Sequence, residues 1–97
     1  MSIRNTAVDS AAQRVSHLAI KLQSHIGSSF NDRPIIESAI ERLKGFSQLD
    51  LPAQVAMLDA VYADLSSVWS TTAPAMLDLC KIRDELSWIA NRLAESA

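Results

Sequence analysis

From Leu51 to Ser70 the chain runs for 20 residues with no lysine or arginine, and Asp59 and Asp64 are its only formal charges. Leu51, Val55, Leu58, Tyr62, Leu65 and Trp69 recur four and three apart, with Met57, Val61 and Val68 beside them, so the spacing predicts a helix. On another side Ala53, Ala56, Ala60, Ala63, Ser67 and Ser70 recur at similar intervals. Small side chains let a second helix come close. A solvated helix keeps a broad polar face. This one has only Asp59 and Ser66 between its large and small rows, so it is expected to have neighbours on at least two sides, from its own chain or from a partner.

The flanking sequence supplies those neighbours. Before the rod, Val8, Ala11, Val15, Leu18, Leu22 and Ile26 form one helical stripe that stops at Gly27-Ser28-Ser29. Asn31-Asp32-Arg33-Pro34 then starts a short helix, since Asn or Asp caps the first amides and proline lacks the donor that the first turn does not need. Ile36, Ala39, Ile40 and Leu43 are its expected buried face, and Gly45 is expected to end it with positive φ. Asp50-Leu51-Pro52 repeats the starting logic for the rod, and Thr71 or Thr72 with Pro74 does so for a last helix. There Ala75, Leu79, Ile82, Leu86, Ile89 and Leu93 keep an a/d rhythm, widened by Met76, Cys80 and Ala90. The repeated starts reflect local helix chemistry and carry no sign of duplication.

The expected fold is therefore all-α, a single domain over 1-97. It is a compact bundle of three longer helices plus one short one, with approximate helices at 5-27, 33-44, 51-70 and 73-94. At 97 residues the chain can hold one modest core. Two arrangements would cover the rod: a homodimer, intertwined or side by side, with the third or fourth helix at the two-fold contact, or a monomer closed by the short helix. The homodimer is favoured because so little chain is available to wrap every apolar face.

Function classes narrow by exclusion. A net charge of -2 and the lack of a basic cluster argue against nucleic acid as a partner. A helix-turn-helix DNA regulator stays as an alternative, although Arg33-Pro34-Ile35-Ile36-Glu37 offers little polarity for reading bases. No apolar run approaches a membrane span, the first residues lack a signal-type h-region, and a single cysteine suits a reducing compartment, so a cytoplasmic protein is expected.

Catalytic and metal patterns are missing: His17 and His25 are about 80° apart on an ideal helix, and neither has the Glu or Cys spacing of a metal site. Both are read as surface or rim histidines, and no cofactor or enzymatic activity is expected. Cys80 is read as a core thiol, Tyr62 as a core residue with its hydroxyl at the rim, Trp69 as core or lid, and Phe30 and Phe46 as helix-end packing.

What remains is contact. The leading expectation is a small protein-binding inhibitor or regulator that works by surface occlusion or conformational trapping, with a structural or oligomerisation subunit as the alternative. Its expected contact residues are Arg83, Asp84, Glu85, Trp88 and Arg92 on the last helix, or Arg33, Glu37 and Glu41, with Lys44, on the short one. Lys81 and Glu85 are expected to form a surface pair at i,i+4.

Overall fold

The computed structural model describes residues 6–96, with side chains from 10 to 95. Four α-helices are present, and no strand occurs among the described residues: α1 (Thr6–Ser24), α2 (Arg33–Lys44), α3 (Leu51–Leu65) and α4 (Ala73–Ser96). A single 3-10 turn, Phe46–Gln48, joins α2 to α3. The helices pack in a ring, α1 on α2, α2 on α3, α3 on α4 and α4 back on α1. Short connections make sequential helices antiparallel neighbours, as in other up-and-down bundles.

The core follows the stripes. Val15, Leu18 and Leu22 from α1 meet Ile36, Ile40 and Leu43 from α2 and the Leu79, Ile82, Leu86, Ile89 and Leu93 row of α4. Every member of the expected α4 row is buried. Phe46 is also buried, deeper than an end-packing residue, because the 3-10 turn folds it beneath α1, α2 and α3.

The starts of α2 and α3 work as their sequences imply. Asp32 Oδ1 accepts from Ile35 N at 3.4 Å, and Asp50 Oδ1 accepts from Ala53 N at 3.1 Å. At α4 the Thr72 carbonyl accepts from Met76 N at 3.1 Å, while its hydroxyl pairs with Ser70 Oγ at 3.2 Å instead of capping an amide. Gly45 departs from expectation: its φ is -87°, because the chain enters the 3-10 turn directly and no left-handed residue is needed.

The larger departure is the end of α3. The helix stops at Leu65, not Ser70. Ser66 Oγ donates to the Tyr62 carbonyl at 2.8 Å and Ser67 Oγ to the Asp64 carbonyl at 2.9 Å, local bonds of the kind that compete with helix propagation. Asn31 then clasps the emerging chain. Its Oδ1 accepts from Trp69 N at 2.7 Å, its Nδ2 donates to the Ser67 carbonyl at 3.2 Å, and its own amide donates to the Trp69 carbonyl at 3.0 Å. Phe30 and Ser70 complete a one-residue antiparallel bridge between the two loops. Similarly α1 stops at Ser24, whose hydroxyl donates back to the Lys21 carbonyl at 2.7 Å.

Shortening α3 changes which residues it buries. The inward row is Gln54, Leu58, Val61 and Leu65, continued by Val68 in the loop, while Leu51 and Val55 are half-buried. Tyr62 is 40% exposed and Trp69 52%, so neither is a core residue. Both neighbours of α3 lie toward its inward side. The small side is uncovered, with Ala56, Ala60, Ala63 and Ser67 exposed. Within this protomer the small-residue row is therefore left without a neighbour, because α2 and α4 each pack on the inward row of α3.

Candidate protein-contact site

The expected α4 residues do not form one group. Asp84, Trp88 and Arg92 lie on the outward stripe, which also carries Leu77 and Lys81, and Glu85 sits at its edge toward α1. Arg83 is half a turn away from Arg92 on an ideal helix. It is half-buried, and its Nη2 donates to Cys80 Sγ at 3.4 Å. Cys80 is itself half-buried, at the margin of the core and not within it.

Across the α1/α4 seam Arg14 Nη1 donates to Glu85 Oε1 at 2.9 Å. This takes Glu85 away from the expected partner Lys81, since the planar guanidinium approaches from the opposite helix and matches a carboxylate better than an ammonium does. The Arg14 guanidinium carbon also lies 4.7 Å from the Trp88 ring centre, and that of Arg92 lies 5.4 Å from it. Each cation-ring contact contributes about 0.5–1 kcal/mol at an exposed position. Trp88 is 49% exposed and yet held on its ring by two cations.

Beside the indole is a concavity of about 220 Å³ lined by Ser10, Ala11, Arg14, Trp88, Ile89, Arg92 and Leu93. Its floor is apolar because Ala11, Ile89 and Leu93 close the α1/α4 seam, and its rim is polar. Arg14 is the member that sequence reasoning missed. It has no special spacing in α1, and only the antiparallel pairing with α4 brings it over Trp88.

The α2 candidates form a different surface. Arg33 Nε donates to Glu37 Oε1 at 3.0 Å, and Lys44 Nζ stands 3.9 Å from Glu41 Oε1. Arg33, Glu37 and Glu41 are exposed along one face, with each acid matched to a base in its own helix. Between α1 and α2 another hollow is lined by Ser16, Ala19, Ile20, Gln23, Ser24 and Lys44, open around an exposed Ile20 and without an aromatic ring.

Of the histidines, His17 is exposed, whereas His25 Nε2 lies 2.7 Å from Asp78 Oδ2, tying the end of α1 to the first turns of α4. That hydrogen bond holds the Asp78 carboxyl below its ordinary value of 3.8; burial opposes the effect, and the charges of Lys21, His25 and Lys81 add to it. Among the described residues no group of three His, Cys, Asp or Glu side chains converges as a metal site would require. No described helix is long and apolar enough to cross a membrane.

The fold and this surface define a small four-helix bundle with an aromatic-arginine cluster on its α1/α4 face. No family model, curated protein or solved structure matches the chain.

Proposed function

We propose that this chain is a small protein-binding inhibitor or regulator, acting by surface occlusion or conformational trapping through the α1/α4 face centred on Trp88. The observation that carries the reading is the half-exposed indole flanked by Arg14 and Arg92 beside an apolar-floored concavity. Tryptophan and arginine are the side chains in which contact energy concentrates. An anchor already fixed before binding loses little rotamer freedom when a partner arrives. Occlusion requires area and a few such anchors, and no bond-making residue.

The test is capture of a partner from cell extract by the immobilised protein, with Trp88→Ala alongside. One stoichiometric partner should bind the native protein, and the variant should keep its helicity but lose at least about 2 kcal/mol of affinity, roughly 30-fold. Equal capture by the variant would remove Trp88 from the contact and with it the support for this face.

A second reading, a structural or oligomerisation subunit, is favoured by the uncovered Ala56, Ala60 and Ala63 on α3. Under that reading the protein sediments as a homodimer at low micromolar concentration, and Ala60→Arg returns it to a monomer. A native protein that sediments as a monomer refutes this second reading.

A further inference from the structure

We propose that a second copy of this chain docks on the outward stripe of α4, antiparallel to it, about a two-fold axis that passes between Ile82 and Arg83. The proposal stands apart from the partner reading, and it uses a different face from the α3 dimer.

Two stripes run along α4. The inward one, with Leu79, Ile82, Leu86 and Leu93 among its members, is buried in the core of its own protomer. The outward one is Leu77, Lys81, Asp84 and Trp88, spaced four, three and four apart and exposed throughout. On an ideal helix these four fall within about 60° of one another, on the side away from the core row. That alternation of four and three is the seam along which one helix meets another lengthwise. Leu77 is 57% exposed and Trp88 49%, so the seam has a large apolar side chain toward each end and one charge of each sign near its middle.

This pattern complements itself when reversed. Leu77 and Trp88 lie equally far from the midpoint between Ile82 and Arg83, about 8 Å along the axis, while Lys81 and Asp84 lie about 2 Å from it on either side. An antiparallel copy centred there sets Leu77 level with Trp88 of the second copy and Lys81 level with Asp84 of the second copy, and the two-fold repeats both pairs. A parallel copy on the same seam would set lysine against lysine and aspartate against aspartate. A slip of one heptad would set Leu77 against Lys81 in one direction and Trp88 against Asp84 in the other. Charge and apolar surface thus select one orientation and one register.

Nothing in the protomer has to break. Among the described residues neither Lys81 nor Asp84 enters an ion pair, and Lys81 acts on Asp78 only through its field. A single helix-on-helix seam is a small contact, below the roughly 1,200 Å² of stable complexes, so the dimer belongs to the weak, reversible class. Because the seam includes Trp88, a second copy covers the indole on which the partner reading rests, and the two contacts exclude one another.

Sedimentation equilibrium from about 5 to 500 µM tests the proposal, and the native chain should dimerise with a Kd of roughly 100 µM. Lys81→Glu and Asp84→Lys should each keep helicity and weaken the dimer about tenfold or more, since each turns two attractions into two repulsions. An equimolar mixture of the two variants should recover the native affinity, because each then meets the charge it lacks. The chain carrying both substitutions should recover it too, which a parallel seam would not allow. Net charge cannot imitate this outcome, since Asp84→Lys cancels the formal charge of -2 and on that ground alone would ease self-association. The ¹⁵N indole resonance of Trp88 should move with protein concentration, and Ala60→Arg should leave the dimer intact. A native protein still monomeric at about 500 µM, a Trp88 resonance that stays in place, single charge variants that dimerise like the native chain, or a double variant as weak as the singles would overturn the proposal. A dimer abolished by Ala60→Arg would overturn it in favour of the α3 face. The partner reading fails on a separate result, capture that survives Trp88→Ala.

Discussion

Replacing Gln54 with methionine should make the protein more stable, although it removes a hydrogen bond. Gln54 is only 2% exposed on the inward row of α3. Its Nε2 donates to the Phe46 carbonyl at 3.2 Å, but its Oε1 is buried without a hydrogen-bond partner. A buried acceptor left in that state costs about 1–3 kcal/mol, whereas one ordinary hydrogen bond contributes a net of about 0.5–1.5 kcal/mol. The Phe46 carbonyl does not become an orphan, because Leu49 N also donates to it at 3.1 Å. Methionine has nearly the same length and volume, and it fills irregular gaps with little strain. The difference favours the variant by about 1 kcal/mol, which in a domain of this size raises Tm by about 4–8 °C. Urea unfolding followed by circular dichroism should show a higher midpoint with an unchanged m-value. Gln54→Ala, which leaves a cavity, should fall below the methionine variant by about 2 kcal/mol or more. A methionine variant weaker than the native protein by 1 kcal/mol or more would refute the reasoning, since it would mean that the amide oxygen makes a favourable bond in the folded state.

Leu86 is fully buried in the α4 row, and Leu86→Ala should cost about 2–5 kcal/mol in urea unfolding, a large part of a stability of about 5–15 kcal/mol. A loss below about 1 kcal/mol would place that row outside the core. Asn31→Ala should destabilise by about 1–3 kcal/mol and speed hydrogen exchange across the loop from Ser66 to Thr71; unchanged exchange there would show that the clasp does not hold the loop. Because the folded-state pKa of Asp78 is below 3.8, its contribution to stability is fully present above that value and disappears as pH falls through the lowered one. Asp78→Asn should therefore flatten the acid limb of a plot of urea midpoint against pH below about pH 4, and an unchanged limb would remove Asp78 from the acid response.

How much of this was legible depended on the range over which each residue acts. The bounds of α2 could be read because Asp32, Pro34 and the break at Gly45 act within a turn or so of the backbone. The α4 row could be read because one repeated spacing decides its burial. The end of α3 could not: Ser66 and Ser67 bond to carbonyls three and four residues back, but the decisive clasp comes from Asn31, 38 residues before Trp69. Periodicity continued through Ser70 with nothing local to contradict it, and so placed Trp69 in a row it does not join. Gln54 escaped notice because polarity alone assigns glutamine to the surface, whereas the Phe46 carbonyl gives its amide a partner inside. At the candidate site Trp88, Arg92 and Glu85 were accessible as neighbours on one helix. Arg14 was not, since its role arises from the pairing of helices that are 71 residues apart at the Arg14-Glu85 contact.

The segment from Gly45 to Asp50 has a topological consequence. It is the covalent link between one hairpin, α1 with α2, and the other, α3 with α4, while the Asn31 clasp and the α1/α4 seam hold those halves together without covalent bonds. If that link straightened, two molecules could trade halves and recover the helix-on-helix contacts of the single one, while giving up the burial of Phe46 in the bend. What opposes the trade is the bend itself, with Phe46 inserted under three helices and Gln54 bonded to its carbonyl. A few buried atoms at one corner thus weigh against an exchange of halves between molecules.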